Sequence, residues 1–152
     1  MTKKCIVAGC LVIKDGKLLL LNHAKIGAWL PPGGHMEEGE FPDETAIRET
    51  KEETGLDVEL ICDDAIRHKD AAAHTMGTPF TIVYEDVPYR TQEPHIHFDM
   101  VFIARVKSGS INPNHESNGI RWLTPQEIKE ADTLPNVRMV ALAALERYGN
   151  LL

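Results

Sequence analysis

GHMEEGEFPDETAIRETKEETGL, residues 34–56, runs a glycine turn into a helix that carries more carboxylates than a helix favours. Glu49, Glu52 and Glu53 fall at i, i+3 and i+4 and therefore share one helical face. Each like-charge pair at this spacing disfavours the helix by roughly 0.2–0.5 kcal/mol, and crowding raises carboxylate pKa values unless a cation answers. Arg48 is one such cation, and a hard divalent metal with oxygen ligands is the other. With no accompanying signal, an acidic face of this kind would be read as simply solvated.

The helix has clear limits. Pro42 suits its first turn, Asp43 and Glu44 suit its positive end, and Gly55 stops it about three turns later. Asp43, Ile47, Thr50 and Thr54 lie together away from the glutamates, an apolar stripe so weak that core packing alone does not account for the helix. Upstream, Pro31-Pro32-Gly33-Gly34 ends any strand at Leu30 and lets the backbone turn sharply into the helix.

Around this segment the chain reads as alternating strands and helices. Residues 4–13 and 17–22 form a hairpin across Lys14-Asp15-Gly16. Residues 57–66 and 78–87 read as strands. Residues 95–106, HIHFDMVFIARV, are the strongest strand, apolar on both faces in the second half and so central in a sheet. GIRWL is a further short strand. Thr124-Pro125-Gln126-Glu127 then forms a capping box, and a last helix follows Pro135 and ends at Gly149. Trp29 and Trp122 sit in apolar strand patterns and are expected in the core.

At 152 residues the chain suits one domain, residues 1–152, with 43% hydrophobic and 26% charged residues. A net charge of −7 argues against nucleic-acid duplex binding, which needs a basic surface. The apolar run near the start is too short to span a membrane. Cys5, Cys10 and Cys62 lack CxxC spacing, so reduced thiols and a cytoplasmic location are expected instead of a disulfide framework or zinc site. An edge strand or exposed apolar helix would support a homodimer.

Gly34, Glu40, Arg48, Glu49, Glu52, Glu53, Gly55 and Leu56 occupy the named positions of a longer signature: G, five residues, E, seven residues, R-E-apolar-x-E-E-x-G-apolar. In this the chain resembles the Nudix (MutT-like) hydrolases. Thr50 departs from the pattern, standing where an aliphatic residue is usual, with a small packing loss expected. The resemblance implies an α/β Nudix fold, an α/β/α sandwich with a mixed β-sheet. It also implies hydrolysis of a diphosphate linkage in a nucleoside diphosphate joined to another moiety, by water attack on phosphorus, with Mg2+ or Mn2+ as its substitute. A non-nucleoside diphosphate hydrolase and a catalytically weak nucleotide-sensing domain are the alternatives.

By the same resemblance Gly33 (through its carbonyl), Glu49, Glu52 and Glu53 are metal ligands, Arg48 holds a glutamate in place, and Glu40 braces the junction of loop and helix. Glu116, six residues before Trp122, is the downstream candidate for a further ligand or general base, with Glu49 as the competing base. The polar connections at residues 67–77 and 86–94 are expected to contact substrate. His23, Lys25, Arg67, His68, Lys69 and Arg90 are candidate phosphate partners that spacing does not rank. His95, His97 and Asp99 share a strand face. Alternate positions on one straight strand do not close a zinc site, so structural hydrogen bonding or cleft contacts are expected of them.

Overall fold

A computed structural model of the chain describes residues 2–63, 66–87 and 93–152. Arg90, most of the 86–94 connection and part of the anticipated 57–66 strand lie outside those residues. The described elements are β1 (Lys3–Lys14), β2 (Lys17–His23), β3 (Trp29–Leu30), β4 (Gly33–His35), α1 (Pro42–Thr54), β5 (Leu56–Ile61), β6 (Thr81–Val87), β7 (His95–Gly109), β8 (Ser117–Leu123), α2 (Pro125–Glu130) and α3 (Pro135–Tyr148).

Strands β1 and β7 form the spine of a mixed sheet. They run parallel from Lys3 opposite His95 to Val12 opposite Ala104, while β5 and β6 pair antiparallel with β7. On its other side β1 pairs antiparallel with β4 and, through Ile13 and Lys14, with β2, which in turn pairs with β3 and β8. The anticipated hairpin is present, and its turn places Asp15 and Gly16 at φ of 50° and 71°.

The central strands are apolar on both sides because both sides are covered. Cys10, Val12, Leu19, Phe102 and Ala104 pack with Ala46 of α1, whereas Leu11, Ile13, Val101 and Ile103 pack with Ile128 of α2 and Ala141, Ala144 and Leu145 of α3. The two tryptophans lie half-buried against these clusters, Trp29 on the α3 side and Trp122 on the α1 side. This is the expected α/β/α sandwich.

Three details differ from the sequence reading. Residues 33–35 pair as a strand, which Gly-Gly does not suggest; a Cβ on Gly9 would lie 2.6 Å from the Pro32 carbonyl oxygen, so β1 can approach this stretch only as backbone. β6 begins at Thr81, three residues later than the apolar pattern. In α1 the buried residues are Thr45, Ala46, Thr50, Glu53 and Thr54, while Ile47 is exposed. The helix lies against the sheet on small side chains, and its large aliphatic residue faces outward.

Candidate active site

α1 begins without a side-chain cap at Phe41; instead the Glu44 carboxylate accepts from the Phe41 amide at 2.9 Å, and Pro42 occupies the first turn. At the other end Gly55 adopts φ of 80°, and a Cβ there would meet the Ser110 carbonyl oxygen at 2.6 Å. The helix is therefore fixed at both ends, and its acidic face is held over the β4 turn.

The glutamates of that face occupy three different environments. Glu53 is buried and accepts a hydrogen bond from the Gly33 amide at 2.8 Å. Burial, followed by the charges of Glu49, Glu116 and Glu52, pushes its pKa up to about 8 despite that bond. Glu49 is half-buried, and desolvation raises its pKa against the opposing pull of Arg48. Glu52 is exposed.

Arg48 holds the set together. Its Nε and Nη2 donate to the two oxygens of Glu40 at 2.5 and 3.0 Å, and its Nη1 donates to Glu49 at 2.9 Å and Glu52 at 3.1 Å. Nη2 also donates to the His35 carbonyl at 3.2 Å, tying helix to β4. Glu40 accepts further from the Glu37 amide and the Thr45 hydroxyl, and the guanidinium beside it holds its pKa down at about 2. Glu40 is thus a brace turned towards Arg48, as anticipated from sequence.

Gly34 is confined by the same group of side chains. A Cβ at this position would sit 2.5 Å from both Cδ and Oε1 of Glu49, so the carboxylate occupies the space a side chain would need. Glu116 also belongs to this neighbourhood, since its charge acts on Glu49, Glu53 and His23. Its loop is fixed by the Ala24 amide donating to the Glu116 carbonyl at 2.8 Å. Among the phosphate-partner candidates, His23 and Lys25 flank this loop.

Arg67, His68 and Lys69 lie elsewhere. With Asp43, Ile47 and Lys107 they line a cleft of about 740 Å³ whose walls include none of Glu49, Glu52, Glu53 or Glu116. The 67–77 connection therefore borders the outward side of α1, where Phe41 and His74 meet edge to face at 4.6 Å. On the α3 side of the sheet a small depression is lined by Pro31, Glu85, Asp99 and Asn136. Of the polar residues there, the strand pattern marks Asp99 alone; Asn136 donates to Glu85 at 2.6 Å, and burial raises the Asp99 pKa to about 7. No local motif marks Glu85 or Asn136, which meet only through tertiary packing.

A mixed sheet between helices, with a glycine turn delivering an Arg-braced acidic helix face, defines an α/β domain suited to hard cations. The NUDIX domain model matches residues 3–143, and the chain belongs to that family. It is 32% identical over 124 residues to a MutT-like protein of Streptomyces ambofaciens, covering 82% of this chain and 66% of that protein. It is 52% identical over 112 residues to the asymmetrical bis(5'-nucleosyl)-tetraphosphatase of Mus musculus, covering 72% of this chain and 65% of that protein. Each match thus spans just under two thirds of the relative. A NUDIX-family hydrolase from Clostridium perfringens superposes with a TM-score of 0.76 at 27% identity, covering 93% of this chain and 96% of that one.

Proposed function

We propose that this chain hydrolyses a diphosphate linkage within a nucleotide-containing substrate, by water attack on phosphorus, with Mg2+ as cofactor and Mn2+ as a substitute. The observation that carries the reading is the convergence of Glu49, Glu52, Glu53 and Glu116 around the β4 turn with Arg48 bonded to two of the four. A carboxylate whose pKa is pushed to about 8 by burial and, after it, by the charges of Glu49, Glu116 and Glu52 is one that a bound cation would stabilise in its charged form. The donors gathered there are oxygens, the chemistry that Mg2+ prefers.

In this reading Glu49, Glu52, Glu53, Glu116 and the Gly33 carbonyl hold the metal. When bound, the ion neutralises charge on the phosphoryl oxygens and acidifies water. Arg48 keeps Glu49 and Glu52 in fixed orientations, and Glu40 keeps Arg48 in turn. The Gly33 amide fixes Glu53. Either Glu49 or Glu116 would take the proton from the attacking water. Lys25 offers positive charge to the substrate phosphates, and His23, whose pKa burial lowers, offers a ring N–H.

The moiety beyond the diphosphate would rest against Glu85, Asp99 and Asn136, a polar set that adjoins Pro31, two residues from Gly33. The mouse relative is a tetraphosphatase of dinucleoside substrates by name, and a Lactococcus lactis relative is a probable DHNTP pyrophosphohydrolase. Both point towards a heterocyclic group on a phosphate chain.

The test is a panel of nucleoside triphosphates, oxidised nucleotides, nucleotide sugars, dinucleoside polyphosphates and non-nucleoside diphosphates, assayed with Mg2+ and with Glu53→Gln as control. Metal-dependent release of two phosphorylated products is expected from at least one nucleotide-containing member. Turnover confined to the non-nucleoside members would replace the nucleotide reading, and no turnover at all would leave a nucleotide-sensing domain. Glu49→Gln and Glu116→Gln, compared through the pH dependence of turnover, separate base from ligand. Unchanged turnover and metal dependence in Glu116→Ala would remove Glu116 from the site.

A further inference from the structure

We propose a second metal site, for Zn2+ or a similar borderline-soft d-block ion, formed by Cys5, His35 and His95, with His97 as a fourth ligand. These residues come from three separate strands. The parallel register of β1 and β7 sets Cys5 opposite His97 and Lys3 opposite His95, while the antiparallel register of β1 and β4 sets His35 opposite Val7. Because side chains alternate along a strand, all four project from the same face of the sheet. Cys10, Val12, Phe102 and Ala104, which pack with Ala46 of α1, belong to the opposite face.

The donor atoms are already gathered. One ligand atom from each of Cys5, His35 and His95 lies within 4.8 Å of the other two. The three imidazoles form one group, with centroid separations of 5.8 Å for His35 and His95, 4.9 Å for His35 and His97, and 4.7 Å for His95 and His97. Tetrahedral zinc, with bonds of about 2.0–2.3 Å, sets neighbouring donors roughly 3.3–3.7 Å apart. Closing the group takes about 1 Å of side-chain movement on that geometry, and neither Cys5 nor His35 is buried.

The tautomers suit the role. His95 Nδ1 lies 3.1 Å from the Glu93 carbonyl, which only accepts, so Nδ1 carries the hydrogen and Nε2 presents its lone pair to the group. In the metal-free protein that lone pair accepts from His97 Nε2 at 2.8 Å. Ligation by His97 Nε2 exchanges this bond for one to the metal as the ring proton passes from Nε2 to Nδ1, which lies 3.7 Å from Glu85 on the outer side. A donor set of one sulfur and three nitrogens selects Zn2+ over Mg2+, whereas the all-oxygen face of α1 selects the reverse. The two sites are chemically distinct but share a strand: His35 is two residues from Gly33, and its carbonyl accepts from Arg48. Zn2+ would therefore tie β4 to β1 and β7 and raise the melting temperature.

The test uses the full chain, stripped with chelator, kept reduced and returned to saturating Mg2+ so that the carboxylate site is occupied. Zn2+ is titrated by calorimetry, and Co2+ by absorption. One equivalent of Zn2+ is expected to bind, and Co2+ to show a thiolate charge-transfer band with tetrahedral d–d bands. Cys5→Ser should abolish the charge-transfer band, and both Cys5→Ser and His35→Ala should weaken Zn2+ binding about 100-fold. Circular dichroism of the metal-free variants checks their folding, and neither altered side chain is part of the buried core. Glu53→Gln should leave Zn2+ binding unchanged. A folded wild-type protein without the charge-transfer band, Zn2+ binding unaltered in Cys5→Ser, or Zn2+ binding lost in Glu53→Gln would each overturn the assignment.

Discussion

Glu53→Gln should make the metal-free protein more stable and its metal-loaded form less so. In the folded chain Glu53 is buried and its pKa stands at about 8, against an unfolded value of 4.5. A raised carboxylate means that the folded state holds the proton more tightly, so its contribution is fully present below pH 4.5 and is lost as pH rises towards 8. About 3.5 pH units at about 1.36 kcal/mol each set a ceiling near 5 kcal/mol, of which about 4 kcal/mol is expressed by pH 8. Glutamine is neutral at every pH and its amide oxygen still accepts from the Gly33 amide, so the substitution removes the electrostatic penalty and keeps the contact. Urea unfolding from pH 5 to 8.5 in chelator should show wild-type stability falling relative to Glu53→Gln, by roughly 2–4 kcal/mol at pH 8. Saturating Mg2+ should reverse the order, because the wild type gains binding free energy that the variant lacks. Parallel pH profiles for the two proteins in chelator, or equal stabilisation of both by Mg2+, would refute the reasoning.

Other substitutions probe the supports of the site. Arg48→Lys replaces a guanidinium that meets Glu40 through two nitrogens and Glu49 and Glu52 through a third, so turnover should fall about 10–100-fold while the melting temperature moves little. Gly34→Ala drives a Cβ into the Glu49 carboxylate, and calorimetry should show Mg2+ affinity reduced about 10–100-fold with the fold retained. Cys10, fully buried, has its thiol pushed up to about 12 by burial from an ordinary value of 9.0. Its stabilising contribution is therefore present below pH 9.0 and lost towards pH 12, and the stability gap between wild type and Cys10→Ala should narrow by about 2 kcal/mol between pH 8 and 10.5.

What the sequence makes legible here depends on how far a rigid element carries the geometry. Arg48, Glu49, Glu52 and Glu53 ride on one helix, so their spacing alone predicts a shared face, and Gly55 and Pro42 set its limits. The same spacing does not reveal that Glu53 is buried, because that follows from tertiary packing that seats α1 on the sheet through Ala46 and brings Glu53 to the Gly33 amide of β4. Ile47 lies outside the packing stripe for a related reason: a helix lying this near a sheet buries its small residues and turns the aliphatic one towards the 67–77 cleft. The short strand at residues 33–35 escaped notice because two glycines carry no β preference; the pairing is imposed by Gly9 across from Gly33. Least legible are the groups that depend on register. The alternation of His95 and His97 marks a shared strand face, but a zinc site needs ligands from separated segments. The registers of β1 and β4 bring Cys5 and His35 to that same face, and a slip of one residue in either pairing would send one of them to the other side of the sheet. A local pattern can therefore identify a side-chain group built along one helix, while a group built across three strands exists only once the register of all three is known.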